Sequence, residues 1–247
     1  MASPAVQLGL LLPPSEGKAL GGGDPAWTAG LGRFAELERR RSTLVRRLAR
    51  VRGGNEKLLG VGGNHLVAAR RANAALDAAP SLPAWQRYTG VVWGGLGVES
   101  LPAAARKRAM SSVIVVSGLM GLVALDDPTP EYRLKMSASL APYGKLSTWW
   151  RPVLAAPLTT WAVHRFVVDL LPNEHRAACE SADVCGVRVA FVERDGKVAG
   201  HEAKVAKGRL ARHLLITAGH PMDALRSWTD DRFGLAITPF AKNSAGS

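Results

Sequence analysis

The sequence of 247 residues predicts a mixed α/β fold, and three observations carry that expectation. Val113–Val116 is a run of β-branched residues of the kind that fills a strand covered on both faces. Val6–Leu12 and Phe166–Leu171 are further apolar runs of strand length, the first stopped by Pro13-Pro14. Val187, Val189 and Phe191 alternate before Arg194-Asp195-Gly196-Lys197, and an Asp-Gly turn after alternating apolar residues signals a β-hairpin. That hairpin makes one strand pair antiparallel. Helical spacing fills the stretches between, so the class is α/β or α+β, with a mixed sheet flanked by helices.

Each element follows from its own pattern. After Val6–Leu12 the chain runs through Ser15-Glu16-Gly17-Lys18 into a flexible Gly21-Gly22-Gly23-Asp24-Pro25 loop. Phe34, Leu37, Leu44, Val45, Leu48 and Val51 predict a long amphipathic helix that ends at Gly53-Gly54, its arginines (Arg39, Arg40, Arg41, Arg46, Arg47, Arg50) forming a mostly solvated face. A second helix spans Leu66–Leu76, with Arg70, Arg71 and Asn73. Pro80 and Pro83 lead into Trp85 and Tyr88-Thr89-Gly90-Val91-Val92-Trp93, and helical spacing resumes from Leu101 to Met110. Leu235–Phe240 reads as a last strand. No repeat or linker divides the chain, so one domain is expected over residues 1–240, with 241–247 a frayed tail.

Composition narrows the class of partner. The chain is 47% hydrophobic and holds seven tryptophans, enough for a sizeable core. Lys and Arg number 32 against 20 Asp and Glu, a net charge of +12, which favours an anionic partner: nucleic acid, nucleotide, phosphate or sulfate ester, or acidic protein. Two cysteines, Cys179 and Cys185, make no secreted disulfide framework. The apolar run Leu8–Leu12 lacks a basic flank and is too short to span a bilayer. A cytoplasmic protein with no membrane partner is expected.

The basic stretch His201–His213 draws most of the attention. Leu210, Leu214 and Leu215 recur at helical spacing, which sets a helix start near Gly208 and places Lys204, Lys207 and Arg209 where a strand hands over to a helix N-terminus, with Arg212 a turn further on. Backbone N–H groups and the helix dipole favour an anion there. A solvated basic face is the competing reading.

Local motifs elsewhere are incomplete. A Walker A loop ending at Gly17-Lys18 would need glycine at Leu12 and Ser or Thr at Ala19. Ser15-x-x-Lys18 matches the serine-nucleophile tetrad of penicillin-binding proteins without its partner motifs. His175, Cys179 and Cys185 offer three metal donors and no C-x-x-C pair, so buried thiols, and neither metal nor cofactor, are expected. His201 and His213 are weak acid–base candidates beside so many cations.

Five motifs in one order carry a resemblance. Leu12-Pro13-Pro14-Ser15-Glu16-Gly17-Lys18, Tyr88-Thr89-Gly90, Ser117–Leu122, Tyr132-Arg133-Leu134-x-Met136 and Lys204-x-x-Lys207-Gly208-x-x-Ala211-Arg212 are spaced as in the YaaA-type peroxide-stress proteins, which the chain resembles over nearly its whole length. The resemblance implies one mixed α/β domain with a positively charged cleft, a helix-hairpin-helix-like element, binding to duplex DNA and a role in limiting iron-driven peroxide damage. Two places depart from the family pattern. Gly121-Leu122-Val123-Ala124-Leu125 lacks an arginine that relatives carry, and Leu171-Pro172-Asn173-Glu174-His175 stands where many read Ala-Ser-Asn-Glu-Tyr. These losses fit a diverged paralogue redirected to a specialised pathway.

Two functions stay open. In one, Ser15, Lys18, Tyr88, Arg133, Lys204, Lys207, Arg209 and Arg212 cradle the phosphates of duplex DNA or of a nucleotide-like ligand. In the other, an enzyme acts on a phosphate- or sulfate-bearing molecule by group transfer, with Glu16 as base and Lys18 and Arg133 neutralising the leaving group. An ion-paired network of Glu16, Arg133 and Lys204 without a ligand is the plain structural alternative.

Overall fold

The structure, a computed structural model, describes residues 6–180, 182–193 and 203–240. The strands are β1 (Gln7–Leu12), β2 (Gly23–Trp27), β3 (Ala79–Pro83), β4 (Val113–Ser117), β5 (Gly121–Ala124), β6 (Pro128–Pro130), β7 (Arg165–Asp169), β8 (Gly186–Glu193) and β9 (Phe233–Pro239). The helices are α1 (Glu38–Arg50), α2 (Glu56–Leu59), α3 (Gly63–Ala74), α4 (Ala84–Arg87), α5 (Val91–Leu96), α6 (Ala103–Ser112), α7 (Leu146–Ala162), α8 (Asn173–Arg176), α9 (Ala203–Ile216) and α10 (Pro221–Ser227).

β1 and β4 are apolar and almost wholly buried, as strands covered on both faces must be. They sit inside a six-stranded sheet ordered β5-β4-β1-β7-β8-β9. The four inner strands run parallel, Leu11 pairing with Ile114 on one side and Asp169 on the other, and antiparallel β5 and β9 close the two edges. From β1 the chain goes first to β4 and later to β7 on the opposite side. The carboxyl end of β1 is thus a topological switch point, where open α/β sheets bind ligands. A second sheet, β2-β3-β6, carries the long excursion between β1 and β4. Buried residues from Leu8 to Phe233 form one contiguous cluster.

Several expectations are corrected. The helix expected to begin near Gly208 spans Ala203–Ile216 among the described residues, so Lys204 and Lys207 lie on α9 and Gly208 lies inside it. Gly208 is there for contact: a Cβ at this position would collide with the carbonyl oxygen of Val92 and stand 2.9 Å from the Cα of Gly95. α5 and α9 therefore touch backbone to backbone, and Arg212 fastens the pair by donating to the carbonyls of Leu96 (3.1 Å), Gly97 (3.0 Å) and Ser100 (2.9 Å). The antiparallel partner of β8 among the described residues is β9; the turn at 194–197 and the tail at 241–247 lie outside them.

α7 was not expected at all, because Pro152 and Pro157 stand inside it. Each proline removes a backbone donor, yet Leu146, Trp150, Leu154, Leu158 and Trp161 recur every three or four residues and are buried, and that burial outweighs the lost rungs. The arginine face of α1 is likewise not wholly solvated. Arg41 is completely buried and donates to the carbonyls of Met120 (2.8 Å), Ala29 (3.1 Å), Leu31 (3.0 Å) and Leu122 (3.0 Å), tying α1 to the β4–β5 turn.

Gly208→Ala should separate α5 from α9 and lower stability by about 1–3 kcal/mol, the usual range for overpacking. Urea denaturation of the full chain measures it, and an unchanged midpoint would contradict the close packing.

Candidate functional site

The loop after β1 forms the floor of the site. β1 ends where Pro13-Pro14 can continue no ladder, and the chain turns through Ser15-Glu16-Gly17 before Lys18 bridges antiparallel to Tyr88. Lys18 Nζ donates to the carbonyl of Ser15 at 2.8 Å, while the Ser15 hydroxyl donates to the carbonyl of Gly17. The serine is therefore not aligned with the lysine as an activated nucleophile, and the penicillin-binding resemblance ends there.

Tyr132 and Tyr88 stand over Lys18, whose ammonium lies 4.1 Å from the centre of the first ring and 5.6 Å from the second. The two phenols meet at 3.0 Å, and Tyr132 is 2.6 Å from Ser117 Oγ. That oxygen also accepts from the amides of Leu119 and Met120, so the three hydroxyls form one buried hydrogen-bonded chain tied to the backbone after β4. Burial pushes the Tyr132 phenol up to about 12 and the Tyr88 phenol well up too, so both stay neutral.

Tyr132 and Arg133 belong to a segment without regular structure, held from below. Asn73, fully buried on α3, donates to the carbonyls of Gly53 (3.0 Å) and Arg133 (2.8 Å) and accepts from the Arg133 amide (2.9 Å). The Arg133 guanidinium then reaches the carbonyl of Leu59 (3.2 Å) and Glu16 Oε2 (2.6 Å), and Lys135 takes Glu16 Oε1 at 3.0 Å. The Glu16 carboxyl is half exposed; burial alone would raise it, but Lys135 and Arg133 together hold it below the ordinary carboxylate value. The third wall comes from the end of β7, where Asp169 accepts from Arg176 Nε (2.6 Å) and the Leu171 amide (2.7 Å) and so fixes the turn carrying Pro172, Glu174 and His175. His175, itself buried, bonds the carbonyl of Val116 at 2.8 Å, and burial lowers its affinity for a proton.

These walls enclose a cleft of about 620 Å³ lined by Ser15, Glu16, Lys18, Arg133, Lys135, Glu174, His175, Lys204 and Lys207, among others. Lys204 is exposed on the first turn of α9, without a hydrogen bond or ion pair among the described residues. Lys207 donates to the carbonyl of Leu170 at 2.5 Å, and burial brings it down to about 8 against the pull of Asp169. Lys18 is brought down to about 7, by burial first and the Arg133 charge second, with Arg87 adding to it and Glu16 and Glu131 opposing.

The structure thus gathers Ser15, Glu16, Lys18, Arg133, Lys204 and Lys207, with Tyr88 just behind, and leaves two predicted residues elsewhere. Arg209 lies on the outer surface, 3.7 Å from Asp230. Arg212 is bound to the end of α5 and lines no part of the cleft. His213 bonds the carbonyl of Ala224 at 3.0 Å, joining α9 to α10, and His201 lies outside the described residues. The ion pairing expected of Glu16, Arg133 and Lys204 exists with Lys135 in place of Lys204. Cys179 is buried and its thiol pushed well up, while Cys185 is exposed. Sequence reasoning missed Asn73, Ser117, Tyr132 and Lys135 as site residues; Tyr132 and Lys135 flank Arg133 in a quoted motif, but a buried Asn on a helix leaves no local signal.

A parallel-centred sheet with a cleft at its switch point defines a mixed α/β protein, and comparison with known proteins makes the class specific. Residues 8–237 match the family model for peroxide stress protein YaaA. The chain is 36% identical over 221 residues to a UPF0246 protein of Streptomyces coelicolor, covering 86% of this chain and 84% of that protein. A UPF0246 protein of Corynebacterium glutamicum is 32% identical (84% and 85% covered), and one of Corynebacterium efficiens 31% (88% and 91%). The chain belongs to the YaaA family. No helix among the described residues is long and apolar enough to cross a membrane.

The lysine in the floor has a thermodynamic signature. Its proton affinity is lower folded (about 7) than for an ordinary lysine (10.5), so between those values the unfolded chain binds more protons and stability rises with pH; that gain shrinks as pH falls from 10.5 and is fully lost once pH has fallen below about 7. Lys207 contributes similarly from about 8. Between pH 7 and pH 9 the stability difference between wild type and Lys18→Met should move by ~2 kcal/mol in favour of wild type, at roughly 1.4 kcal/mol per pH unit. Urea titrations at both pH values measure it, and parallel pH dependences would show that Lys18 is not desolvated.

Proposed function

We propose that the cleft binds a small phosphate- or carboxylate-bearing molecule of nucleotide-like size. The observation that carries this reading is the pairing of cleft charges. Glu16 pairs with both Arg133 and Lys135, whereas Lys204, exposed on the first described turn of α9, has no carboxylate partner among the described residues. A volume near 620 Å³ suits one small ligand with a few polar groups. Arg209 and Arg212 are occupied by Asp230 and by the end of α5, so the basic run supplies no continuous strip along which a duplex would lie.

Duplex DNA is the second reading, favoured by the net charge of +12 and by Arg39, Arg46 and Arg50, which stand exposed along α1. It places the nucleic acid on the outer surface, with sequence-tolerant, salt-sensitive affinity. The family description supplies peroxide stress as the physiological setting for either reading.

Thermal shift with nucleoside phosphates and anisotropy with a labelled duplex separate the two. A ligand confined to the cleft should raise the melting temperature with concentration, and Lys204→Ala should weaken it about tenfold while leaving duplex binding and its salt slope unchanged. Duplex affinity lost with Lys204 would reverse the assignment. Glu16→Gln frees Arg133 and Lys135, so anion binding should tighten by a few fold at a stability cost below ~1 kcal/mol, as for other exposed pairs. Weaker binding in that variant would give Glu16 a direct role instead.

A further inference from the structure

We propose that Lys18 is a nucleophilic amine that forms an imine with an aldehyde or ketone bearing a phosphate or carboxylate group. The proposal rests on the anion-binding reading of the cleft and extends it from binding to covalent chemistry. Its geometry starts from what surrounds the amine. Lys18 lines the cleft, and its one hydrogen-bond partner among the described residues is the carbonyl of Ser15 at 2.8 Å. The nearest carboxylate in sequence, Glu16, has one oxygen on Arg133 at 2.6 Å and the other on Lys135 at 3.0 Å, so it is not the lysine's counter-ion. The faces of Tyr132 and Tyr88 cover the amine on another side, excluding water.

Two influences on Lys18 oppose each other. Aromatic faces attract an ammonium, while burial and the Arg133 charge disfavour one. The second prevails and brings the group to about 7, leaving a large share as free amine near neutrality. Neutral phenols matter here, because a phenolate beside the amine would hold it charged. Lys207 is lowered less far, to about 8, because the charge of Asp169 favours its ammonium, and that makes it the poorer nucleophile. The roles expected for the loop are thereby reversed. Glu16, stabilised as a carboxylate by two cations, is a weak base, and the lysine beside it is the reactive group.

The step balances without an oxidant. The Lys18 nitrogen lone pair attacks the carbonyl carbon, forming C–N, and the π electrons move to oxygen. The two hydrogens of the amine are transferred to that oxygen, which departs as water and leaves C=N. The acidic group of the substrate meets Lys204, positioning its carbonyl toward the floor.

Reductive trapping tests the proposal on the full chain. Glycolaldehyde phosphate with sodium cyanoborohydride should give one adduct by intact mass, mapped to Lys18, at least tenfold faster than propionaldehyde, which lacks the anion. Glycerol 3-phosphate, with the anion and no carbonyl, should raise the melting temperature and suppress trapping. Lys18→Arg, checked by circular dichroism for native folding, should lose the adduct. Unmodified Lys18, or label spread over Lys207 and surface lysines, with the shift intact, overturns the imine and leaves the anion reading standing. Equal labelling of Lys18 by both aldehydes with no glycerol 3-phosphate shift overturns both.

Discussion

The amide of Asn73 is the contact on which the cleft depends. Buried completely on α3, it clamps both backbone groups of Arg133 and the carbonyl of Gly53. Tyr132–Lys135 has no ladder or helix of its own, so its buried backbone groups need partners from outside. With Asn73 supplying them, Tyr132 is fixed above Lys18, and Arg133 and Lys135 are fixed on Glu16. Without it, that wall has no reason to stand where it does. Gly118 makes the same approach possible from the opposite side, since any Cβ there would press on the carbonyl of Leu134 and stand 3.0 Å from the carbonyl carbon of Lys135.

Around that clamp, the electrostatics of the cleft divide into satisfied and unsatisfied charge. Glu16, Arg133 and Lys135 form a closed triad at the surface, whose value lies in geometry more than in stability, because exposed pairs contribute little. Lys18 and Lys207 are kept under burial, where charge is costly, and respond by giving up proton affinity. Of the four lysines that line the cleft, Lys204 is the exposed one. One cleft thus combines an exposed ammonium with an amine of lowered proton affinity, a pairing that simple phosphate capture does not require. Perturbed groups of this kind concentrate at functional sites, although structural networks also produce them.

Arg41, Arg87 and Arg212 show a different use of cations in this highly basic chain. Each directs its guanidinium at backbone carbonyls: Arg41 at the β4–β5 turn, Arg87 at Ala19, Gly21, Pro80 and Thr129, and Arg212 at the end of α5. Five donors in a fixed planar fork suit loops whose carbonyls have no helical or sheet partner. Part of the net charge of +12 is therefore structural adhesive, and the total overstates what is available to an anionic partner.

What the sequence determined by itself was local or periodic: the buried strands at Val113–Val116 and Val6–Leu12, the amphipathic stripe of α1, and the family, whose model matches residues 8–237. It also brought Glu16, Lys18, Arg133 and Lys204 to notice, because those residues lie within the motifs. Tertiary structure decided everything that depends on contact across the chain. It extended α9 through Gly208, since only the approach of Gly95 explains a glycine inside a helix. It built α7 across two prolines, since only the buried Leu–Trp stripe outweighs their missing donors. It separated Lys204 from Arg212, two turns apart on one helix, placing the first in the cleft and the second at the end of α5. Finally it set the character of Lys18, because proton affinity follows from burial beneath two tyrosines and proximity to Arg133, and those neighbours lie 70 to 115 positions away along the chain.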